Sequence, residues 1–233
     1  MSGQADIKKA VATLAVDRFV HSGMRLGLGT GSTAIWAVRR VAEKIANGTL
    51  SGIRAVATSL QSEIEARALG IPLGGLGDAG MGAGLDLTID GADEIDPEGR
   101  LIKGGGGALL LEKVVAYASE SFVVVADSSK LSARLCDSFA IPVEIVPPAL
   151  GPVSRTLEEM GAEVSLRTAV KKAGPVVTDL GNLLLDVRFR GPFDPREMED
   201  RLKLIPGVLE DGLFTKKRPV LLIGQTGGGV EQK

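Results

Sequence analysis

Apolar and polar residues follow two alternating patterns through about the first 135 residues of the chain. Ile7, Ala10, Val11, Leu14 and Ala15 recur at the spacing of one helix face, which predicts a helix over residues 7–20. Short apolar runs predict strands over residues 24–28, 53–57, 85–90 and 122–126, separated by helices over residues 32–46, 60–69 and 108–119. A glycine-rich connection, residues 74–84, precedes the third strand. This alternation favours an α/β, Rossmann-like domain, in which helices cover both sides of a parallel sheet.

The sequence pattern changes after Ile141-Pro142. Shorter strands are predicted over residues 143–146, 164–167 and 183–189, with helices over residues 153–160 and after Asp194-Pro195, where proline suits a first turn. This β-α-β-β-α order predicts a smaller α+β domain of the ferredoxin-like type. The apolar run at residues 220–224 is expected to return to the first sheet, which makes the smaller domain an insertion. We therefore expect residues 1–137 and 208–233 to form the larger domain and residues 138–207 the smaller one.

Composition limits the classes of function. The 233 residues are 44% hydrophobic and 24% charged, with a net charge of −2, as in an ordinary globular protein with an ample core. Basic residues are scattered and balanced by acids, so we expect no nucleic-acid partner. Charged residues interrupt the amino-terminal helix, unlike a signal peptide, and no apolar run approaches the ~20 residues of a membrane span. We expect a cytoplasmic protein without a membrane partner.

The rare residues restrict the chemistry further. Cys136 is the one cysteine, which excludes an intrachain disulfide and a zinc site built of several thiolates. His21 is the one histidine, and it falls where the first helix is expected to end, where a cation suits the helix dipole. A Ser-His-Asp or Cys-His relay is therefore not expected. Acid–base chemistry falls to Asp, Glu and Lys, and we expect no metal, because no cluster of His, Cys and carboxylate with ligand spacing is present.

The most informative segment is DGADEIDPEGRLIKGGGGALLLEK, residues 90–113. Asp90 and Asp93 follow the carboxyl end of a predicted strand, which is where open α/β sheets bind ligands. Lys103 precedes four glycines that allow close approach of the backbone to a ligand, and Glu112 is predicted in the second turn of the next helix. Carboxylates, a cation and bare amides together suit proton transfer on a small anionic substrate. The alternative is purely structural, with a turn at DGAD and a flexible glycine loop.

A second glycine loop, GLGTGST at residues 27–33, follows the first strand and opens a helix, with Ser32 or Thr33 as the expected N-cap. Free amides at a helix start favour a phosphate ligand. The run GTGSTA also fits the dinucleotide fingerprint, but that fingerprint requires an acid near the end of the second strand, which here reads Ala57-Thr58-Ser59. The missing acid favours a single phosphate over a dinucleotide.

At these residues the chain resembles the type A ribose-5-phosphate isomerases. The resemblance runs from about Ile7 to Gly228, and its most specific motifs are TGST at residues 30–33, DGADE at 90–94 and KGGGGA at 103–108 followed by Glu112. ADSSK at 126–130, VVTDLGN at 176–182 and IPGV at 205–208 support it. The four-glycine run and AVKKAGPVVTD resemble the eukaryotic branch of the family. Leu180 departs from the pattern, which usually has a polar residue at this position.

The resemblance implies interconversion of ribose 5-phosphate and ribulose 5-phosphate without a cofactor, in a homo-oligomer that is a dimer or a tetramer. It makes Glu112 the proton acceptor between C2 and C1, with Asp90, Asp93 and Lys103 at the reacting end. The implied substrate-binding residues are Thr30, Gly31, Ser32, Thr33, Asp90, Gly91, Ala92, Asp93, Lys103, Gly104, Gly105, Gly106 and Lys130.

The chemistry of the residues agrees with these implied roles. One carboxylate can collect a proton from a carbon and return it to the neighbouring carbon. The enediolate formed between those steps is an oxyanion, which a cation and backbone N–H groups stabilise. Lys103 with Gly104 to Gly106 supplies both kinds of group, Asp90 is our candidate for ring opening, and Asp93 is expected to orient hydroxyls.

Two other functions fit parts of the sequence. A sugar-phosphate sensor would keep the phosphate loop without needing Glu112, but it would carry a DNA-binding segment, and none fits before Met24. An aminosugar-phosphate isomerase-deaminase on the same scaffold would use a histidine for ring opening, and His21 is badly placed for that task.

Overall fold

The computed structural model describes residues 3–81, 84–171 and 173–233. Gly82 and Ala83, in the predicted glycine-rich connection, and Lys172, in the AVKKAGPVVTD motif, lie outside the described residues. Contacts divide the chain into two compact units. The first comprises Met1–Ala92, Leu111–Lys130 and Lys217–Lys233, and the second Asp93–Leu110 and Leu131–Lys216. The predicted domain boundaries differ from these units, because they assign residues 93–110, 131–137 and 208–216 to the larger domain. The division into two domains with the predicted boundaries stays a prediction.

The first unit contains one sheet among the described residues, and its strands are β1 Arg25–Leu28, β2 Arg54–Ala57, β3 Leu85–Asp90, β6 Ser119–Asp127, β12 Val220–Gly224 and β13 Val230–Gln232. Their order across the sheet is β13-β12-β6-β3-β1-β2. Neighbouring strands from β12 to β2 pair in parallel, and β13 joins the edge antiparallel. The helices are α1 Gln4–Phe19, α2 Ala34–Ala46, α3 Leu60–Ala68 and α4 Leu109–Tyr117, whose first two residues belong to the second unit. The expected return of residues 220–224 to this sheet is confirmed.

Helices cover both faces of the parallel sheet because alternate strand residues point in opposite directions. Leu26 and Ile89 lie in the main core together with Val11 and Val38 from α1 and α2. The residues between them in the strands face the other side. A Cβ added at Gly27 of β1 would lie 2.6 Å from a methyl group of Val115 in α4. The predicted α/β, Rossmann-like architecture is confirmed.

The main elements of the second unit follow one another as β7 Ile141–Ile145, α5 Leu150–Glu159, β8 Ala162–Leu166, β9 Leu183–Phe189, α6 Pro195–Lys203 and β10 Val208–Asp211. Their strands form a four-stranded antiparallel sheet in the order β10-β7-β9-β8. This β-α-β-β-α-β order with central β7 and β9 is the ferredoxin-like arrangement that the sequence predicts. The prediction lacks the last strand, β10. A small separate sheet, in the order β11-β5-β4, consists of β4 Glu94–Ile95, β5 Leu101–Ile102 and β11 Leu213–Phe214.

Local sequence signals explain the starts of α5 and α6. Asp194 accepts hydrogen bonds from the amides of Arg196 and Glu197, at 2.8 and 2.9 Å, so the predicted Asp194-Pro195 start of α6 is confirmed. The helix predicted from residue 153 begins earlier, at Leu150. Pro152 is tolerated in its first turn because backbone N–H groups there have no partner within the helix.

Leu180 lies in a turn and is 50% exposed, so it packs into no core. No helix of the described chain is both long and apolar enough to cross a membrane.

Candidate active site

The predicted residues of the first unit collect at the carboxyl edge of the parallel sheet. The chain leaves β1 towards β2, on one side, whereas β3, on the other side of β1, continues the sheet towards β6. Strand order therefore reverses between β1 and β3, and ligands bind open α/β sheets in the crevice that this reversal creates. The loop of residues 29–33 follows β1, and Asp90 ends β3. The loop and Asp90 thus lie side by side at the switch point.

Asp90 is fully buried and bonds directly to the loop after β1. Its Oδ1 accepts the Thr30 amide at 3.0 Å and the Gly91 amide at 2.7 Å. Gly91 in turn lies close to the backbone of the same loop, since a Cβ there would be 3.9 Å from the Thr30 carbonyl oxygen. These hydrogen bonds fix a carboxylate and the start of the loop to each other.

Gly29 is required by the close approach of Asp90. A Cβ at this position would lie 2.3 Å from Asp90 Oδ1 and 2.6 Å from its Cα, and the backbone atom cannot rotate away. We expect Gly29→Ala to lower the free energy of unfolding in urea by about 1–3 kcal/mol, the usual cost of overpacking. The matched control is Gly77→Ala, because that site has no heavy atom within 4 Å and no left-handed φ angle. Equal losses for the two variants would contradict the packing argument.

The rest of the loop is held by residues that the sequence analysis missed. Thr30 Oγ1 bonds the hydroxyls of Thr58 and Ser59 at 2.7 and 2.6 Å, at the carboxyl end of β2. The Gly31 amide donates to Gln61 Oε1 at 3.1 Å. Thr30 is therefore held within the protein through both its amide and its hydroxyl, and its contact with a substrate stays a prediction.

Ser32 and Thr33 are differently placed. Ser32 is exposed, and its Oγ accepts a hydrogen bond from Lys8 Nζ of α1 at 2.9 Å. Thr33 occupies the N-cap position of α2 without a side-chain capping bond. A helix start, two hydroxyls and an ammonium group are thus gathered in one place, as an anion site requires. Lys8 carried no sequence signal, because it reads as an ordinary charged residue of an amphipathic helix.

Glu112 lies at the same end of the sheet as Asp90. The helix α4 runs antiparallel to β3, as two contacts show. The Leu85 amide donates to the Ala118 carbonyl at 2.9 Å, and further along the strand Thr88 Oγ1 donates to the Val115 carbonyl at 3.4 Å. Continuing by one helical turn and two strand residues leads to Glu112 and Asp90, respectively. Glu112 is 3% exposed and lies in the first turn of α4 rather than the second, because the helix begins at Leu109.

Lys130 lies beyond the carboxyl end of β6 in a single 3-10 turn, Ser128–Lys130. Asp127, the last residue of β6, is 5% exposed and accepts the amide of Ser129 at 3.0 Å as well as its hydroxyl. Burial acts to raise the pKa of the Asp127 carboxyl, but the Ser129 hydrogen bonds and the charges of Lys130 and Lys8 hold that pKa below its ordinary value. The lowered pKa favours the charged form of Asp127 beside two ammonium groups at this edge.

The second unit brings together another part of the predicted set. Asp93 precedes β4 and Lys103 follows β5, so both lie at one end of this antiparallel pair. The Asp93 amide donates to the Ile102 carbonyl at 2.9 Å. Lys103 is 2% exposed, and its Nζ lies 5.5 Å from the centre of the Phe214 ring, within cation–π range.

The amides of Gly104 to Gly106 are not equivalent. The Gly105 amide donates to Asp93 Oδ2 at 2.7 Å, and donation from the amides of this run to an enediolate stays a prediction. Gly104 has φ +104°, a left-handed angle, and a Cβ there would lie 2.8 Å from a Leu109 methyl group. Only glycine fits this position. Among the described residues, moreover, no group of three or more His, Cys, Asp and Glu side chains is arranged to hold a metal ion.

These features define a Rossmann-like α/β protein with a phosphate-type loop and carboxylates at its switch point. The family model "Ribose 5-phosphate isomerase A (phosphoriboisomerase A)" matches residues 54–228. The chain belongs to the ribose 5-phosphate isomerase A family.

Individual relatives agree along nearly the whole chain. Ribose-5-phosphate isomerase A of Treponema denticola is 47% identical, over 97% of this chain and 98% of the relative. The protein of the same name from Synechococcus sp. strain WH7803 is 49% identical, over 97% and 94%. Both relatives are bacterial, and the likeness to the eukaryotic branch stays a prediction.

Solved structures of the family superpose closely on this fold. Ribose 5-phosphate isomerase A of Methanocaldococcus jannaschii is 40% identical and covers 99% of both chains with a TM-score of 0.92. A D-ribose-5-phosphate isomerase in complex with phospho-erythronic acid is 37% identical, covering 100% of this chain and 99% of its own, with a TM-score of 0.94.

Proposed function

We propose that this protein interconverts D-ribose 5-phosphate and D-ribulose 5-phosphate through an enediolate, a step of the non-oxidative pentose phosphate pathway. The relatives that match this chain over almost their full length are named for this activity. The observation in the fold that carries the proposal is the pairing of the loop after β1 with buried Asp90 after β3. That pairing supports an anion site next to a carboxylate at the switch point of the sheet.

In the proposed reaction Glu112 is the base that moves one proton between C2 and C1. Its position in the first turn of α4, at the Asp90 end of the sheet, supports this role. Asp90 assists ring opening by accepting or returning a hydroxyl proton, and its hydrogen bonds to Thr30 and Gly91 fix the carboxylate for that purpose. Burial of both groups excludes competing water, which strengthens their electrostatic interactions.

Negative charge on the enediolate needs a cation and hydrogen-bond donors. Lys103 supplies a buried cation, and the Gly106 amide supplies a donor for the enediolate oxygens. Asp93 orients substrate hydroxyls, and the Gly105 amide holds this carboxylate in place. Gly91, Ala92 and Gly104 provide backbone that a substrate can approach closely.

The phosphate group is held by Ser32, Thr33, the start of α2 and the ammonium groups of Lys8 and Lys130. The Lys8 bond to Ser32 Oγ supports this assignment, since it brings a cation to the loop. Thr30 and Gly31 shape the loop through their bonds to Asp90, Thr58 and Gln61.

The phosphate assignment predicts a selective loss of binding. Ser32→Ala combined with Thr33→Ala should raise the Kd for ribose 5-phosphate by about tenfold or more. Each hydroxyl that donates to a charged group contributes about 1.5–3 kcal/mol, and the double variant removes two of them. The poor binding of unphosphorylated ribose should barely change. Calorimetric titration of both sugars measures the difference, and equal losses would show that the loop holds something other than phosphate.

Assembly and location are also proposals. We infer a homo-oligomer, dimer or tetramer, located in the cytoplasm, and a reaction that uses no metal or organic cofactor. Multi-angle light scattering on the purified protein measures the first of these directly. A single monomeric species at micromolar concentration would contradict it.

A further inference from the structure

The glycine run of residues 104–107 has no side chains to fix its conformation, so another part of the chain must order it. Arg167, which follows β8 in the second unit, makes the relevant contacts. Its Nη1 donates to the Gly104 carbonyl at 2.8 Å and to the Gly105 carbonyl at 3.3 Å. The arginine thus holds two successive peptide groups of the run from one side.

The guanidinium is itself rigidly held. Asp186 of β9 accepts from its Nε at 3.0 Å and from its Nη2, which is a bidentate pair, and the Arg167 side chain is 14% exposed. The Arg167 backbone is fixed too, because its amide donates to the Leu184 carbonyl and its carbonyl accepts the Val176 amide, both at 2.9 Å. The direction of Nη1 is therefore determined by the second sheet.

Holding the two carbonyls also determines where two amides point. A trans peptide is planar, and its C=O and N–H point in opposite directions. The Gly104 carbonyl faces Arg167, and the Gly105 amide of the same peptide group accordingly donates to Asp93 on the other side. The Gly105 carbonyl also faces Arg167, so the Gly106 amide is directed away from the guanidinium. Gly106 is exposed, which leaves this donor accessible to a ligand.

We propose that Arg167 is a positioning residue for the isomerisation: it aims the Gly106 amide at the enediolate and keeps the Gly105 amide on Asp93. The inference rests on the proposed function, in which the glycine run stabilises the enediolate. It adds that the Arg167–Asp186 pair, which holds the run by two backbone carbonyls, sets the strength of that stabilisation. Its effect belongs to the transition state, because the phosphate contacts lie on other elements.

The test compares Arg167→Met with Arg188→Met. Arg188 is a matched control, since its Nη1 also donates to two backbone carbonyls of the second unit, those of Cys136 and Asp137, both at 3.1 Å. Arg167→Met should lower kcat about 10- to 100-fold, somewhat less than the ~10²–10³-fold loss on removal of an oxyanion donor, because the amide stays present but is misdirected. KM for ribose 5-phosphate should change less than about threefold. Phospho-erythronic acid, whose carboxylate stands in for the enediolate, should inhibit the variant more weakly by a factor similar to the loss in kcat.

A second variant and a rescue keep the inference testable if Arg167→Met unfolds. Asp186→Asn removes only the bidentate partner and should give a smaller loss of kcat in the same direction. Arg167→Ala should regain part of its kcat in ~20 mM guanidinium chloride, because the free cation can occupy the vacated position. An unchanged kcat, a loss confined to KM, or an equal loss in Arg188→Met would overturn the inference.

Failure of the inference can be distinguished from failure of the proposed function. If Lys103→Met loses phospho-erythronic acid binding and Arg167→Met does not, the glycine segment binds the enediolate but Arg167 does not position it. If neither variant changes inhibition by phospho-erythronic acid, the segment has no role in binding the enediolate, and both the inference and that part of the proposed function are wrong.

Discussion

Replacement of Glu112 by glutamine is expected to lower kcat for ribose 5-phosphate isomerisation by ~10²–10⁴-fold, the contribution of a general base. Glutamine keeps the shape of the side chain but cannot accept the C2 proton. Substrate affinity should change little, since the phosphate and hydroxyl contacts remain. Exchange of the substrate C–H hydrogen with D₂O, followed by NMR, should stop together with isomerisation.

Glu144→Gln is the matched control for this variant. Glu144 is 1% exposed, and burial raises the pKa of its carboxyl, but it lies in β7 and accepts hydrogen bonds from Thr178 and Asn182 within the second unit. We expect the control to keep nearly the parent kcat. If Glu112→Gln still exchanges the substrate hydrogen at near the parent rate, another group is the base and the assignment is wrong.

Replacement of Lys103 by methionine should have the second largest effect. Methionine has a similar length and volume, but it carries no charge to meet the enediolate. We expect kcat to fall by ~10²–10³-fold, as when a preorganised donor to an oxyanion is removed, with a much smaller change in KM. Steady-state kinetics over a range of ribose 5-phosphate concentrations separates the two parameters.

Lys44→Met is the control for Lys103→Met, because it also replaces a largely buried lysine. Its side chain is 12% exposed and pairs with Asp17 at 3.0 Å, at the end of α2 opposite the loop of residues 29–33. This variant should keep its activity, and thermal unfolding should show that both variants fold. A rise in KM for Lys103→Met without a fall in kcat would mean that Lys103 binds substrate and transition state equally.

Element type was largely predictable from the sequence, because burial on both faces gives continuous apolar strands such as residues 220–224. Element ends and short strands were not. β4, β5 and β11 have two residues each, which is too short for any periodicity to register. The strand at Val208–Asp211 is not predicted from the sequence, because half of its residues are acidic. The burial of Glu210 and Asp211 depends on partners elsewhere in the chain.

The candidate site shows the same limit. Asp90, Glu112 and the loop after β1 could be located because their motifs lie at strand or helix ends. Lys8 and Arg167 contact residues far along the chain, Ser32 and Gly104, and no local pattern reveals such pairs. The sequence also could not show that the Thr30 and Gly105 amides are already engaged by Asp90 and Asp93.

We propose that this chain is a sugar-phosphate isomerase whose carboxylates and lysine perform the chemistry without a metal. One measurement tests it most directly: ribose 5-phosphate is incubated in D₂O with the protein after exhaustive dialysis against EDTA, and the products are followed by NMR. We expect ribulose 5-phosphate to form as fast as with undialysed protein in D₂O, with deuterium entering at C1. Binding of ribose 5-phosphate without ketose formation, or activity that returns only when a divalent ion is added, would contradict it.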